Sequence, residues 1–405
     1  MNILVLSDFF PPQLCAGAEN IAFELSKGYI KEGNVVSVIT INKSLKKGEV
    51  QVSKIEGITC HEIGFSYNEK LAAYLGVFNP FLLKIIKKII INGSYELAHL
   101  HNVHKYISYS VIGLLEKHSI PSILTVHDAM FIAYGKYDQG ATKSDQTLNA
   151  RVNYKVNKFQ IWRENWKRYN LFKNLIIKWQ FKKLKKIVCV SKEIEKLLNF
   201  NGIKNTQVIH NGIEVLSDPL EKTIENFKNK IGLQSSDRVL FFAGRLSTEK
   251  GFNQVQDLMK NLIIKDKNIK LLLVGKIINF DSSISKNVIN TGWLSKEDMN
   301  LAYCSSELTL VPSIYLDPFP TVVIESMRQG VPVIGSVYSG AKEAIIDGKT
   351  GYHINPFNIA DFLEKTMNLF DNNEVRKSMS IESKIEFAKK FTLEKCIKKY
   401  LELIK

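Results

Sequence analysis

The chain has 405 residues, which is enough for two or three domains, and its apolar fraction of 45% is ordinary for a globular protein. Its five cysteines are scattered and include no C-x-x-C pair, which argues against a disulfide framework and against a zinc knuckle. The formal net charge of +15 at pH 7 indicates an anionic partner, which could be a nucleic acid or a membrane surface.

Targeting signals and membrane spans are not evident in the sequence. The N-terminus, MNILVLSDFFPP, has no basic region before its apolar run, so it predicts a first strand rather than a signal peptide. The longest apolar runs are interrupted by lysines, and none reaches the roughly 18 residues expected of a spanning helix. We therefore expect a cytoplasmic protein that is either free in solution or attached to a membrane surface.

The first half of the chain predicts a parallel sheet with helices on both faces. An apolar run, Asn2–Leu6, is followed by helical spacing over Ala18–Lys31 and by a second apolar run, Val35–Ile41. These segments form one βαβ unit. Further short strands are predicted at Leu97–Leu100, Ser122–Val126 and Ile187–Val190. Each of them ends in polar residues, and chemistry at the carboxyl ends of parallel strands is the general rule for open α/β sheets.

The second half repeats this arrangement. A strand at Arg238–Ala243, a helix at Phe252–Ile264 and a strand at Lys270–Val274 form another βαβ unit. The expected fold class is therefore α/β, with two Rossmann-like doubly wound domains at residues 1–205 and 206–385. A terminal helix at residues 386–405 is expected to pack back toward the first domain. No G-x-G-x-x-G follows either leading strand, which weakens a nicotinamide or flavin assignment.

Two cations follow the first strand of the second half. The loop GRLSTEKG places Arg245 and Lys250 between glycines, which let a backbone approach a ligand closely. Arg and Lys together can neutralise a diphosphate, most of all as charge builds up on a leaving group. The alternative is an ordinary exposed loop, and the carboxylates later in the same half favour the functional interpretation.

Those carboxylates are predicted to share a crevice. A strand at Leu308–Val311 leads into a loop with Asp317 at its tip, and a helix that starts near Thr321 carries Glu325. The start of this helix presents unpaired N–H groups that favour an anion. Carboxylates for hydroxyls and amides for phosphate are what a sugar nucleotide requires. Solvated surface acids and a structural ion pair are the alternatives, and the apolar neighbours of Glu325 favour a ligand role.

Four histidines in the first half invite comparison with a metal site. Three of them lie in the motif HLHNVH, but no acidic ligand lies beside them, so we expect no metal. Strand alternation should point His99 and His101 to the same face. His127, at the end of a strand, is the best candidate for a single functional histidine, and a structural histidine beside Asp128 is the equal alternative.

Most of the net positive charge, +11 of +15, comes from residues 151–186, which contain 12 basic residues and one acid, Glu164. Aromatic and apolar residues recur there at three- and four-residue spacing, which predicts one amphipathic helix over about residues 155–186. A core-facing helix with a solvated lysine face is one interpretation, and the surface of an anionic bilayer is another. Nucleic acid is disfavoured because no nucleic-acid-binding motif is present. The candidate membrane-surface residues are Trp162, Trp166, Lys167, Arg168, Trp179, Lys182 and Lys183.

These motifs, in their order and spacing, resemble those of the retaining glycosyltransferases of family 4. In the first half the resemblance rests on PPQLCAGAEN, HLHN, TVHD, VCVSKEI and VIHNGIE. In the second half it rests on GRLSTEKG, LLLVG, TGWLSKEDM, PSIYLDPFPTVVIESMRQGVPVI, SGAKEAI and DGKTGY. The resemblance covers nearly the whole chain and is strongest from Gly244 to Gly351. It implies the GT-B fold, in which the two domains face a central cleft.

The resemblance also implies roles for individual residues. Arg245 and Lys250 match positions that hold the donor diphosphate, Glu325 the position that binds the ribose, and Asp317 one that binds the transferred sugar. His127 matches a residue near the anomeric centre. Further donor contacts are expected from Gly17, Gly244, Phe319, Thr321 and Val322, and acceptor or sugar contacts from Glu19, His101, Asn102 and Glu343. Two positions depart from the family pattern, because Asp317 replaces the usual Glu and Ala16-Gly17-Ala18 replaces adjacent glycines.

The function that the resemblance implies is retaining, metal-independent glycosyl transfer without a cofactor. The donor would be a UDP-, GDP- or dTDP-linked sugar, and the basic segment suggests a polyprenyl-linked saccharide acceptor at the inner face of a bacterial plasma membrane. Capsule, O-antigen (lipopolysaccharide) and exopolysaccharide biosynthesis are the expected settings. Two alternatives are another GT-B enzyme, such as a sugar-nucleotide epimerase or phosphorylase, and a non-catalytic module that binds sugar nucleotides.

Overall fold

The computed structural model describes residues 1–13, 17–135, 137, 144–150, 152–166, 169–244, 247–276 and 280–404. The chain divides into two compact units. The first unit comprises Met1–Lys136, Tyr154–Gly212 and Leu393–Lys405, and the second comprises Tyr137–Asn153 and Ile213–Thr392.

The strands and helices alternate along the chain. The strands are β1 (Asn2–Leu6), β2 (Val35–Asn42), β3 (Val50–Ile55), β4 (Ile58–Gly64), β5 (Leu97–Leu100), β6 (Ser122–Val126), β7 (Lys186–Cys189), β8 (Thr206–Val208), β9 (Arg238–Ala243), β10 (Ile269–Val274), β11 (Val288–Asn290), β12 (Leu308–Val311), β13 (Val333–Ser336) and β14 (Gly351–Ile354). The helices are α1 (Gly17–Lys31), α2 (Ala72–Leu75), α3 (Pro80–Asn92), α4 (Val111–Lys117), α5 (Lys158–Asn165), α6 (Lys173–Phe181), α7 (Lys192–Phe200), α8 (Glu221–Lys230), α9 (Phe252–Lys265), α10 (Lys296–Cys304), α11 (Thr321–Arg328), α12 (Ala341–Ala344), α13 (Ile359–Asp371), α14 (Asn373–Lys390) and α15 (Leu393–Ile404).

The sheet of the first unit has the strand order β3-β4-β2-β1-β5-β6-β7-β8. Every pairing is parallel except that of β3 with β4, which form a hairpin at one edge. The hairpin turns through Glu56 and Gly57, which both have positive φ, as a tight two-residue turn requires. The expected βαβ pattern is confirmed, and the hairpin is an addition that the sequence analysis did not assign.

The sheet of the second unit is entirely parallel, with the order β11-β10-β9-β12-β13-β14. This is the order of a doubly wound sheet, in which the connections reverse direction between β9 and β12. Buried aliphatic and aromatic side chains of β9, β10, α9 and α13 form the core on one face. A second cluster, from β9, β10 and α10, covers the other face. The expected Rossmann-like architecture is therefore confirmed.

Two segments belong to units that are distant from them in the sequence. Residues 137–153, which the sequence analysis left in the first domain, are part of the second unit, where Asn355 donates from Nδ2 to the carbonyl of Asp145 over 2.7 Å. In the first unit, α15 packs so closely on α1 that a methyl group at Gly28 would lie 1.8 Å from Cδ1 of Ile397. Residues 386–390 were expected to belong to the terminal helix. They instead form the last residues of α14, which is part of the second unit.

The prediction of one amphipathic helix over residues 155–186 is wrong. The segment contains two helices, α5 and α6, and α5 ends with its C-cap at Trp166. Asn170 lies in the break, and its Oδ1 accepts from the backbone N–H of Phe172 over 3.1 Å. A side chain that bonds the nearby backbone in this way competes with the helical hydrogen bonds. The three- and four-residue spacing therefore continues across a break that it does not reveal.

None of the helices in the described ranges is both long enough and apolar enough to cross a membrane.

Candidate active site

Two loops of the second unit meet at the topological switch point between β9 and β12. The backbone N–H of Ile314, after β12, donates to the carbonyl of Glu249, after β9, over 2.8 Å. Gly251 has φ of 82°, and a Cβ there would lie 2.0 Å from the carbonyl oxygen of Pro312. Only glycine fits both this conformation and this approach. The carboxyl ends of β9 and β12 therefore form the crevice in which doubly wound sheets bind ligands.

Lys250 and Asp317 form an ion pair in this crevice. The Lys250 Nζ lies 2.5 Å from Oδ2 of Asp317, and Ser313 donates from Oγ to the same oxygen over 2.9 Å. The Asp317 side chain is 6% exposed and that of Lys250 is 24% exposed. The backbone of Asp317 is held as well, because the N–H of Gly340 donates to its carbonyl over 2.7 Å. The two loops thus present a cation and an anion at one fixed place.

Glu325 lies in α11, which begins at Thr321 beside the same loop. Its Oε2 accepts from the Tyr303 hydroxyl over 2.7 Å. Burial, and next the adjacent Glu325 carboxylate, raise the pKa of Tyr303 well above its usual value, so this hydroxyl stays protonated and donates. The hydrogen-bond partner of Glu325 is therefore Tyr303, a tyrosine from α10 that the sequence analysis missed. Nothing local in the sequence around Tyr303 indicates this contact, because the two residues are 22 positions apart.

The remaining donor-site candidates are distributed around the start of α11. Thr321 and Val322 occupy its first turn, after the N-cap Pro320. Phe319 is buried and packs against Phe391 with ring centroids 5.8 Å apart. Its role in this structure is therefore that of a packed side chain beneath the loop.

Other candidates are placed less centrally or are not described. Glu343 lies in α12, the short helix after β13. Gly244 directly follows β9 and has a φ of 117°. Arg245 lies outside the described residues. In the first unit, Gly17 is the first residue of α1, and Glu19 is buried in the first turn of that helix.

The strand ends of the first unit bring two candidate histidines together. Nδ1 of His101, after β5, lies 2.9 Å from Nε2 of His127, after β6, and the two ring planes are 19° apart with centroids separated by 5.2 Å. Burial lowers the pKa of His127 to about 4, against an upward effect of Asp128. Burial also lowers the pKa of His101 well below its usual value. Both imidazoles are therefore neutral at pH 7.

The alternative interpretation of His127 placed it beside Asp128, whose own polar contacts are with His104 and Met130. Oδ2 of Asp128 lies 3.8 Å from Nε2 of His104, and its Oδ1 accepts from the backbone N–H of Met130 over 2.8 Å. A shallow recess between the two strand ends is lined by His101, Asn102, His104 and His127, among others. The structure thus places His127, His101 and Asn102 in one concave site.

Asp8, at the end of β1, supports this site and was not singled out from the sequence. Its buried carboxylate accepts from the backbone N–H groups of Lys105, Tyr106 and Ile107 at 2.7 to 3.0 Å. Burial raises the pKa of Asp8, and His104 and the three hydrogen bonds oppose that rise. Asp8 therefore fixes the loop that follows the HLHN motif. The sequence signal that could have identified Asp8 is its position in the polar pair that directly follows β1.

No group of three or more His, Cys, Asp or Glu side chains in the described ranges is arranged to hold a metal ion.

The basic segment forms an exposed aromatic surface on the first unit. Its large exposed side chains are Phe159, Trp162, Trp166, Leu171, Phe172, Leu175 and Trp179. Lys182 is exposed as well, whereas Lys183 covers the Trp179 ring at 3.9 Å and pairs with Glu116 over 2.8 Å. Lys167 and Arg168 lie outside the described residues. We call these seven exposed side chains, with Lys182 and Lys183, the aromatic–basic surface.

A cleft of the first unit lies next to this surface, with Asn165 of α5 in its lining. Its lining is largely apolar and aromatic and includes Ala73, Val77, Tyr109, Met130 and Tyr134. Lys173, from α6, is also part of the lining. Its ammonium group donates to the carbonyls of Met130 and Ala133. The Nδ2 of Asn170, between α5 and α6, donates to the carbonyl of Ala73 over 3.0 Å and so joins the cleft wall to the aromatic–basic surface.

Two family models together match most of the chain. The model described as Glycosyltransferase Family 4 matches residues 16–215, and the model described as Glycosyl transferases group 1 matches residues 223–385.

Curated relatives include an uncharacterized glycosyltransferase of Methanocaldococcus jannaschii that is 23% identical over 378 residues, which cover 89% of this chain and 87% of the relative. Another is the lipopolysaccharide 1,2-N-acetylglucosaminetransferase of Salmonella typhimurium, which is 26% identical over 196 residues. That match covers 45% of this chain and 51% of the relative, so the chain spans about half the length of this enzyme.

Two solved structures share the fold over almost the whole chain. Sucrose-phosphate synthase from Thermosynechococcus elongatus matches with a TM-score of 0.76 at 16% identity, covering 99% of this chain and 98% of that one. HepE of Anabaena, in complex with UDP and glucose, matches with a TM-score of 0.72 at 15% identity and the same coverage. With two doubly wound sheets and both halves matched by family models, the chain belongs to the family 4, group 1 glycosyltransferases, enzymes of the GT-B fold.

Proposed function

We propose that this glycosyltransferase is retaining and moves a sugar from a nucleotide-diphosphate donor to a saccharide acceptor. The observation that carries the proposal is the crevice between β9 and β12, where Lys250 pairs with Asp317 and where α11, the helix that carries Glu325, follows the Asp317 loop. The crevice combines a cation for phosphate with carboxylates for hydroxyl groups. This is the charge pattern that a sugar nucleotide complements.

In the proposed complex each charged group has a separate task. Lys250 and Arg245 bind the diphosphate and stabilise its charge as it leaves, helped by the first N–H groups of α11 at Thr321 and Val322. Glu325 accepts from the ribose hydroxyls, and Tyr303 holds its other side. Asp317 accepts from a hydroxyl of the transferred sugar. Gly244 and Gly17 allow close approach of their loops to the phosphates, and no metal or cofactor takes part.

Retention of configuration is proposed from the resemblance to the retaining family, and the contacts of Asp317 favour front-face transfer over a covalent intermediate. Its buried carboxylate oxygen accepts from both Lys250 and Ser313, which suits hydroxyl recognition better than attack on an anomeric carbon. The leaving phosphate would then take the proton of the acceptor hydroxyl on the front face, with His127 close to the reacting carbon. An NMR determination of the product's anomeric configuration tests this, and inversion relative to the donor would refute it.

The donor is proposed to carry uridine, guanosine or deoxythymidine diphosphate. UDP comes first, because the fold neighbour HepE was solved in complex with UDP and glucose. Thermal-shift titration with UDP-, GDP- and dTDP-glucose tests this, since a ligand at 100 times its Kd stabilises the native state by about 2.7 kcal/mol. One donor class should raise the Tm selectively in the wild type and in Glu374→Gln, a surface control, but not in Glu325→Ala. Equal responses in both variants would remove Glu325 from the donor site.

The acceptor is proposed to be a polyprenyl-linked saccharide used in capsule, O-antigen or exopolysaccharide biosynthesis. The apolar and aromatic cleft of the first unit suits a sugar ring or the start of an isoprenoid chain, and the aromatic–basic surface beside it suits an anionic bilayer. In this proposal the enzyme works at the inner face of the plasma membrane. The Salmonella relative, a lipopolysaccharide 1,2-N-acetylglucosaminetransferase, supports a setting of this kind.

Flotation with vesicles tests the membrane proposal. Vesicles with 30 mol% anionic lipid, at low salt, should carry the wild type upward, whereas neutral vesicles should not. The triple variant Trp162→Ser, Trp166→Ser, Trp179→Ser should stay with the soluble fraction. Trp293→Ser removes an equally exposed tryptophan from the second unit and serves as the matched control. Equal flotation of the triple variant and this control would refute the proposed surface.

Product analysis separates glycosyl transfer from the other GT-B activities. A saccharide product that depends on the acceptor supports transfer. Phosphate acting as the acceptor would indicate a phosphorylase, and an altered sugar nucleotide would indicate an epimerase.

A further inference from the structure

Four aromatic rings form a continuous column inside the first unit, from the terminal helix to the proposed active-site histidine. The ring centroids of Tyr400 and His99 lie 5.1 Å apart, those of His99 and His101 4.2 Å apart, and those of His101 and His127 5.2 Å apart. Tyr400, His99 and His101 are all buried. The column therefore connects α15 to His127 without a gap.

Hydrogen bonds fix the column laterally. His99 bonds through Nδ1 to the Tyr29 hydroxyl over 3.0 Å and through Nε2 to Oγ1 of Thr125 over 2.7 Å. The same Thr125 oxygen lies 2.9 Å from the Tyr400 hydroxyl. His99 thus has both ring nitrogens satisfied, and its ring cannot flip without losing both bonds. The His99 ring, against which His101 packs, is therefore held in one orientation.

The bond between His101 and His127 has only one donor. Burial lowers the pKa of His99 to about 3 and that of His127 to about 4, and it lowers the pKa of His101 as well, so the rings are neutral at pH 7. A neutral imidazole has one N–H and one unprotonated nitrogen. Either His101 donates from Nδ1 or His127 donates from Nε2, and the two choices give His127 opposite tautomers.

The other nitrogen of His101 decides between them. Nε2 of His101 is sealed from solvent and has no hydrogen-bond partner among the described residues. If His127 donated, the proton of His101 would lie on this nitrogen and form an orphaned buried N–H group, which is rare in native structures. If His101 donates from Nδ1, its Nε2 carries only a lone pair. His127 then accepts at Nε2 and carries its proton on Nδ1.

We infer that the column Tyr400–His99–His101 positions His127 for sugar transfer and fixes its tautomer, with the proton of His127 on Nδ1. The inference rests on the proposed role of His127 beside the reacting sugar. His101 is in this view a positioning residue, and α15 is part of the support of the active site. His127 offers a donor, not an acceptor, to an oxygen of the substrate.

The tautomer can be measured without any substrate. Protein labelled with ¹⁵N in histidine should give a two-bond ¹H–¹⁵N pattern for His127 with a protonated Nδ1, assigned with His127→Gln. His101→Asn keeps an N–H donor at the Nδ1 position and should preserve this pattern. His101→Leu removes the donor and should give an Nε2–H or mixed pattern. An Nε2–H tautomer of His127 in the wild type would overturn the inference.

Kinetics give the second readout. His101→Leu should lower kcat about 10-fold or more with little change in the KM of the donor, and His101→Asn should recover most of the loss. Tyr400→Leu should shift the His127 signals, whereas Tyr400→Phe, which keeps the ring, should preserve them. His61→Leu is the matched control, because His61 lies in β4, which β2 and β1 separate from β5.

The outcomes distinguish this inference from the proposed function. If the wild type transfers no sugar, the proposed function fails while the NMR pattern still tests the column. If transfer occurs but His101→Leu leaves both kcat and the His127 signals unchanged, the proposed function stands and the column has no positioning role.

Discussion

The Lys250–Asp317 pair joins the residue proposed for the diphosphate to the residue proposed for the sugar. The carboxylate neutralises part of the charge that Lys250 would offer to phosphate, because Nζ and Oδ2 are only 2.5 Å apart. A pair of this kind is held together by mutual charge and by the Ser313 hydroxyl, and removal of one partner exposes the other. The two residues should therefore respond differently to substitution.

Asp317→Asn tests that difference. The loss of a charged hydrogen bond to a sugar hydroxyl costs about 1.5 to 3 kcal/mol, so kcat/KM should fall by a factor of about 13 to 160. The affinity for the free nucleoside diphosphate should stay the same or rise, because Lys250 loses its neutralising partner. Steady-state kinetics and calorimetric titration measure both quantities.

The matched control for that substitution is Asp361→Asn. Asp361 pairs with Lys365 over 2.9 Å in α13, away from the crevice, and its substitution should change neither quantity. Weaker nucleoside diphosphate binding in Asp317→Asn would contradict the proposed division of tasks.

Tyr303→Phe tests the support of Glu325. The ring stays packed against Phe241, whose centroid is 4.5 Å away, and only the 2.7 Å hydrogen bond to Glu325 is lost. A net loss of about 1 kcal/mol in nucleotide binding is expected, which is about a fivefold rise in Kd. Tyr352→Phe removes a comparable hydroxyl, bonded to Asn368, from the same unit and should leave the Kd unchanged. An unchanged Kd in Tyr303→Phe would show that Glu325 needs no such support.

The sequence indicated the charged residues of the crevice but not their partners. Lys250, Asp317 and Glu325 stand in motifs whose order and spacing carry the information. Tyr303 and Asp8 act through contacts with residues 22 and about a hundred positions away, which no local pattern encodes. The sequence therefore indicated the residues that are proposed to contact ligands. It did not indicate the residues that hold those side chains and loops in place.

Among the elements, α5 and α6 show how periodicity can mislead. The aromatic residues were expected to share one helical stripe partly packed on the domain, with lysines in solvent. In the structure Trp162, Trp166 and Trp179 are exposed, whereas Lys173 is 6% exposed and donates to two carbonyls under the Tyr134 ring. Burial lowers the pKa of Lys173 to about 7. Spacing predicts which residues share a helical face. It does not tell which face packs inward when both faces carry side chains with an apolar part and a polar end.

The connection from β9 to α9 provides a prediction at this scale. Gly251→Ala would force both a positive φ and a Cβ 2.0 Å from the backbone of Pro312, so the loop that holds Lys250 must shift. Gly232 also has a positive φ, of 81°, but a Cβ added there would have no heavy atom within 4 Å. Gly232→Ala therefore introduces the backbone strain without the close contact. Positive φ alone costs about 1 to 2 kcal/mol, and the excess destabilisation of Gly251→Ala reports the close approach.

Urea unfolding of the two variants measures that excess. A loss of stability in Gly251→Ala equal to that in Gly232→Ala, together with full activity, would show that the two loops are not packed as closely as the structure indicates.

At the scale of the whole molecule, the two doubly wound sheets follow from short apolar strands that end in polar residues. The assignment of segments to one unit or the other does not follow from such local patterns. Residues 137–153 join the second unit through backbone carbonyls that Asn355 and the Tyr338 hydroxyl contact, and α15 joins the first unit through Gly28 and Tyr400. These contacts link residues about 190 or more positions apart, beyond the reach of a local pattern.

The buried histidines make the stability of the first unit dependent on pH. The pKa of His99 is lowered to about 3 and that of His127 to about 4, both by burial, whereas an unfolded histidine has a pKa of about 6.5. As pH falls from 6.5 to 5, the unfolded chain binds these protons and the folded chain does not. Stability must therefore fall over that window, and it is constant with respect to these groups above it. Asp8, whose pKa is raised, acts in the opposite direction at lower pH.

His99→Gln tests this linkage. His99 alone should contribute about 2 kcal/mol to the loss of stability between pH 6.5 and pH 5, so the variant should show a smaller loss than the wild type by that amount. Urea unfolding in a Trp293→Phe background gives the measurement, because the remaining tryptophans then all lie in the first unit. The variant will be less stable at pH 7, since it loses the bonds to Tyr29 and Thr125, so the quantity to compare is the change with pH. Parallel stability curves for the two proteins from pH 7 to pH 5 would contradict the prediction that His99 stays neutral in the folded state.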